Sequence, residues 1–193
     1  MLERTLVLLG AGPLPELSMR CGAETLSDTL DLPLTTVVEG QSPDPSLVNL
    51  MASPPRLILL AGDPGSLHHE GSSWMDALAA WKCPVILLGS PRPDGVMPGT
   101  IPAFTSLCET RGMVLLGLIQ LGGPWLPEVR KRDGLPWLGW LSDSRLDRNR
   151  PDQCNAAVEA LDRLSIIIRS RLEICHGLKA TEASLWVTEH GCS

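Results

Sequence analysis

The sequence contains no tyrosine and a single phenylalanine, so six tryptophans supply most of its aromatic bulk. Only three of its 193 residues are lysines, and the formal net charge is -6 at pH 7. A nucleic-acid-binding surface needs a basic face that displaces counterions from the phosphate backbone. The charge therefore argues against nucleic acid as a partner and favours a small molecule or another protein.

Long apolar runs are absent as well, since none reaches the about 20 residues that a membrane-spanning helix requires. The longest runs, at 57–61, 84–89 and 113–121, have the length of strands. Residues 1–12 have no basic start, and their apolar core is too short for a signal peptide. We therefore expect a cytoplasmic protein with no membrane partner.

Closely spaced cysteine pairs are also missing, because the six cysteines occur singly at positions 21, 83, 108, 154, 175 and 192. This spacing favours reduced, mostly buried thiols over a disulfide framework. Cys175, His176, His190 and Cys192 are residue types that bind zinc, but neither half of the set has the usual two-residue spacer. A zinc site near the C-terminal end is therefore the less favoured alternative.

The chain does contain a regular alternation of short apolar runs and stretches of helical periodicity. We expect strands near 4–9, 34–38, 56–61, 84–89, 113–119 and 136–141. Helices fit near 16–30, 45–52, 72–82 and 100–111, and a last helix after Pro151 carries an apolar stripe. Because continuously apolar strands are covered on both faces, the pattern predicts three α/β/α layers with a mainly parallel sheet. Residues 1–176 would form this single domain, followed by a tail at 177–193 with a short strand at 184–188.

The loop after the first strand begins Gly10-Ala11-Gly12, which hints at a phosphate-binding turn. Two prolines remove backbone donors from this loop, and one of them, Pro15, takes the place of the third glycine of a dinucleotide fingerprint. The Gly-Lys-Thr positions of a Walker A motif hold Pro15, Glu16 and Leu17. A tight turn is therefore favoured over a triphosphate cradle.

The third predicted strand runs into Asp63, where a Walker-B-type acid would hold Mg²⁺. The alternative, which we favour, is that Asp63-Pro64-Gly65 forms a turn stabilised by the aspartate side chain. The neighbouring His68-His69-Glu70 lacks metal-ligand spacing and is better explained as an exposed polar loop. The sequence contains no Gly-x-Ser-x-Gly elbow, and no Cys/His spacing in it argues for a catalytic nucleophile.

Several segments follow one another in an order that is typical of a known enzyme family. RLILLAGDPGS, SSWMDALAAWKC and PVILLG are followed by GTIPAFTSLCETRGMVLLGLIQ and LPWLGWL. Over residues 56–141 this order resembles the dethiobiotin synthetase family, homodimeric P-loop enzymes of biotin biosynthesis that use ATP and CO₂ to close a ureido ring. The resemblance implies a P-loop-NTPase-like fold, ATP and Mg²⁺ as cofactors, and a homodimer.

The sequence departs from this family at the functional positions. Ala61 matches the metal-binding glutamate, Pro102-Ala103 matches an Asn-His pair, and Gln120 matches the asparagine that reads adenine. The phosphate-binding Lys-Thr has no counterpart. Because phosphoryl transfer depends on positioning and charge stabilisation, these losses predict weakened or absent nucleotide chemistry, as in a pseudoenzyme.

Three functional hypotheses follow. The first is an ATP-dependent cyclo-ligase, and its phosphate, metal and base contacts would be Gly10, Gly12, Asp63, Thr100 and Gln120, with Asp63 on the metal. The second is a non-catalytic α/β protein that binds a small molecule or a protein partner in the same crevice. The third is a Rossmann-type dinucleotide binder, for which Glu39 is the only candidate ribose-binding acid.

Overall fold

The computed structural model describes residues 5–38, 40–68, 71–142 and 157–175. Six strands form one sheet in the order β2-β3-β1-β4-β5-β6, and every pair in it is parallel. The strands are β1 (Leu6–Gly10), β2 (Leu34–Val37), β3 (Leu57–Leu60), β4 (Pro84–Gly89), β5 (Val114–Leu121) and β6 (Trp137–Leu141). The predicted α/β class and parallel sheet are therefore confirmed.

Six helices accompany the sheet in the described ranges. They are α1 (Glu16–Leu30), α2 (Pro43–Met51), α3 (Trp74–Ala80), α4 (Thr100–Thr110), α5 (Pro127–Arg132) and α6, which covers 157–175. Helices α1 and α6 pack on one face of the sheet, and α2, α3 and α4 pack on the other. Every residue of β1, β3 and β4 is buried between these layers, which explains why their sequences are continuously apolar.

Local sequence signals account for two of the helices. Helix α3 begins with a capping box, in which the Ser73 hydroxyl accepts from the Asp76 N–H and the Asp76 carboxylate accepts from the Ser73 N–H. In α6 the predicted stripe is confirmed, because Leu164, Ile168 and Leu172 are buried against the sheet. The predicted strand at 184–188 lies outside the described residues.

The strand order determines where a ligand can enter. Strand β1 lies between β3 and β4, and the helix that follows β1 packs on the opposite face from the helices that follow β3 and β4. Loops that diverge in this way open a crevice at the carboxyl ends of the strands. Relative to the order 3-2-1-4-5-6 of dinucleotide-binding folds, β2 and β3 exchange places.

Candidate ligand-binding site

A cavity of about 600 Å³ opens at the carboxyl ends of β1 and β3. Its walls come from the loop after β1 with the first turn of α1, from the loop after β3, and from the first turns of α4. Leu14, Met19 and Phe104 contribute apolar surface, and Val38 lies at the rim. Volume and position are those of a small-molecule site in an open α/β sheet.

Gly12 and Thr100 bring two of these walls into contact. Gly12 has a φ of +102°, a conformation that favours glycine. A Cβ atom on Gly12 would lie 2.9 Å from Thr100 Oγ1, so the β1 loop packs directly against the start of α4. Gly10 is the last residue of β1, pairs with Leu88 and does not line the cavity.

Asp63 lines the same cavity as Gly12 and Thr100, so three of the five predicted contact residues meet there. Its Oδ1 atom accepts a hydrogen bond of 2.9 Å from the Gly65 N–H, which is the turn expected of Asp-Pro-Gly. The side chain is exposed, and no cationic side chain of the described residues pairs with it. Within the described part of the chain, Asp63 therefore has no cationic partner at the cavity.

The described residues do not assemble a metal centre from protein side chains alone. No group of three or more His, Cys, Asp or Glu side chains within 5–38, 40–68, 71–142 and 157–175 could hold a metal ion. His68 lies with Asp63 on a smaller neighbouring cavity of about 270 Å³. Glu39, His69 and Glu70, and the zinc candidates other than Cys175, fall outside the described residues.

The described charged residues that line the cavity are of one sign. They are Glu16 and Asp63, and none of the lysines, arginines or histidines in the described ranges lines it. Glu16 pairs with Arg20 at 3.1 Å, but both side chains are exposed and solvent screens the pair. Among the described lining residues a triphosphate would meet two carboxylates, of which only Glu16 has a cationic partner, and this environment disfavours Mg-ATP.

Gln120 lies elsewhere, at the end of β5, and is fully buried. Its Nε2 atom donates to the carbonyls of Gly122 and Pro124 at 2.8 and 3.1 Å, and its Oε1 atom accepts from Arg130 Nε at 3.0 Å. Both amide donors and the acceptor are thus directed to the protein. These hydrogen bonds hold the loop after β5 in place, so the Gln120 side chain has a structural role.

Arg130, the partner of Gln120, comes from α5, a helix that the sequence pattern did not predict. It is 4% exposed and lies over the Trp137 ring, with Cζ 5.4 Å from the ring centroid. Its Nη2 atom also donates to the Gly95 carbonyl at 3.5 Å. Arg130 therefore connects α5, β5, β6 and the loop after β4. No sequence signal indicates this role, because Arg130 stands in a short polar segment and its burial is a feature of the tertiary structure.

Comparison with known proteins adds no assignment. No family model matches the chain, and no curated protein is significantly similar to it. Among the described residues, no helix has the length and apolar character needed to cross a membrane. The function must therefore be argued from the geometry of the site.

Proposed function

We propose that this protein binds a small, largely apolar molecule in the 600 Å³ cavity between β1, β3 and α4, without phosphoryl transfer. The observation that carries the proposal is the cavity itself. It lies where the strand order opens the sheet, its walls are mostly apolar, and the charged residues that line it within the described part of the chain are acidic.

A ligand of this kind gains affinity from burial of apolar surface at about 25 cal/mol per Å². Leu14, Met19 and Phe104 supply that surface, while the Thr100 hydroxyl and the backbone of the glycine loops supply polar contacts. A few polar groups in an otherwise apolar cavity orient a ligand without contributing most of the binding energy. The arrangement is that of a binding protein with a pre-formed site.

The second candidate is an ATP-dependent ligase of the dethiobiotin synthetase type. The observation in its favour is that Gly12, Asp63 and Thr100, three of its predicted nucleotide contacts, line one cavity. Against it stand Pro15 at the N-cap of α1, Glu16 in the first turn and the missing lysine, because each weakens the grip on an anion. This candidate also predicts a homodimer, which sedimentation velocity checks.

A fragment screen by ligand-observed NMR tests the first candidate. Val38→Trp places a large side chain at the cavity rim, and Val48→Trp on α2 is its matched control, because the two valines are 53% and 52% exposed. We expect fragments that bind the unaltered protein to lose binding in the Val38 variant and to keep it in the Val48 variant. Fragments that bind all three proteins equally would place binding outside the cavity and contradict the proposal.

A thermal-shift titration separates the two candidates. Mg-ATP at millimolar concentration should leave the melting temperature unchanged, since a ligand stabilises a protein only by binding its native state. A dose-dependent rise with Mg-ATP would favour the ligase. A second test expresses this chain in a biotin-requiring strain that lacks its own dethiobiotin synthetase. Growth of that strain would favour the ligase.

A further inference from the structure

The same cavity contains the two kinds of side chain that recognise organic cations. One is a carboxylate, Asp63, and the other is an aromatic ring, Phe104. An aromatic face attracts ammonium ions through its quadrupole, and a carboxylate accepts charge-assisted hydrogen bonds from them. Phe104 is the only phenylalanine in the sequence, and it lies half-buried on the wall that α4 contributes.

Asp63 can receive a ligand without giving up its structural hydrogen bond. The turn uses Oδ1, which accepts from the Gly65 N–H, whereas Oδ2 takes part in no protein hydrogen bond within the described residues. Asp63 also lies on the wall shared with the 270 Å³ cavity, so its charge acts on both spaces. The other acid, Glu16, differs because Arg20 partly compensates it.

The other residues that line the cavity indicate which class of cation it would bind. A divalent metal ion held by protein side chains alone would need several ligands, and no group of three or more His, Cys, Asp or Glu among the described residues could hold one. An organic ammonium ion needs one carboxylate and an apolar enclosure for its body, and Leu14, Met19 and Phe104 provide the enclosure. We therefore propose that the ligand is an organic ammonium ion with an apolar body, and that its charged nitrogen binds the Asp63 carboxylate. This inference depends on the proposed small-molecule function.

Calorimetric titration with three probes of one shape tests the charge directly. The probes are 2-phenylethylamine, which is cationic at pH 7, 2-phenylethanol, which is neutral, and 3-phenylpropionate, which is anionic. We expect the amine to bind at least fivefold more tightly than the alcohol and the propionate to bind most weakly. Added NaCl should weaken the binding of the amine and leave the affinity for the alcohol unchanged, because salt screens an exposed charge pair.

Asp63→Asn and Asp94→Asn form a matched pair of variants. Asp94 accepts from the backbone N–H two residues later, that of Val96, at 3.0 Å, as Asp63 does from Gly65, and it does not line the cavity. Asparagine keeps the turn at either position and removes one charge. The Asp63 variant should bind the amine and the alcohol equally, and the Asp94 variant should keep the fivefold preference.

The outcomes separate this inference from the proposed function. If the alcohol or the propionate binds as tightly as the amine, and the Val38→Trp variant abolishes that binding, the cavity is a ligand site but the ammonium class is wrong. If the amine fails to bind while the fragment screen finds cavity ligands, the inference is likewise overturned. If neither the probes nor the screen finds a cavity ligand, both proposals fail.

Discussion

Replacing Gly12 with alanine should destabilise the protein by about 3 kcal/mol, as the sum of two effects. The first is backbone strain, because a φ of +102° is unfavourable for any residue with a Cβ atom. Strain of this kind costs about 1–3 kcal/mol. The second is overlap, since the new Cβ would lie 2.9 Å from Thr100 Oγ1 and 3.0 Å from Thr100 Cβ. Rotation of the threonine relieves the first contact but leaves the second.

A double-mutant cycle separates the two effects. Thr100→Gly removes both overlapping atoms, so Gly12→Ala should cost about 1 kcal/mol less in that background than in the unaltered protein. The assay is equilibrium unfolding in urea of all four proteins, with the slope of each transition checked for two-state behaviour. An equal cost in both backgrounds would show that the β1 loop does not touch α4, and the cavity as described would be wrong.

Three further predictions concern the scaffold around the site. Arg130→Met should cost about 3 kcal/mol in urea unfolding, because it leaves the buried Gln120 oxygen without its donor, and adding Gln120→Leu should recover part of that loss. Hydrogen bonds from Ser73, and the nearby Arg111 guanidinium, lower the pKa of Asp76 below its ordinary 3.8. Its stabilising contribution is therefore present above pH 4 and lost as the pH falls through the folded-state pKa, so an Asp76→Asn variant should be less stable at pH 6 and approach the unaltered protein in acid. Burial raises the pKa of Cys108 to about 11, so iodoacetamide at pH 8 should label this thiol in urea but not in the native protein, as peptide mass spectrometry would show.

The sheet could be predicted because burial on both faces leaves a direct mark on sequence. Runs such as Pro84–Gly89 are continuously apolar and buried throughout, and the less buried edge strands β2 and β6 also occur near their predicted positions. Helix α5 could not be predicted in the same way. Its sequence, Pro127–Arg132, has no apolar stripe. Its buried residue is Arg130, whose side chain donates a hydrogen bond to Gln120. That contact depends on tertiary structure rather than on periodicity.

The candidate site was predictable only in part, and for a similar reason. Gly12, Asp63 and Thr100 meet because each follows a parallel strand, and the carboxyl ends of such strands share one edge. Gln120 lies at the carboxyl end of β5, but its side-chain amide forms hydrogen bonds with the protein itself. Met19 and Phe104 were not anticipated, since an apolar residue in an amphipathic helix has the same pattern whether it packs in the core or lines a cavity.

The cavity between β1, β3 and α4 is proposed to bind a small molecule and no nucleotide. Amide chemical shifts in a nitrogen-15 correlation spectrum report on both halves of this proposal, in parallel titrations with the best fragment and with Mg-ATP. The fragment should shift the amide signals of Gly12, Asp63 and Thr100, and Mg-ATP should shift none of them. Fragment-induced shifts confined to other regions, or Mg-ATP-induced shifts in the loop after β1, would contradict the proposal.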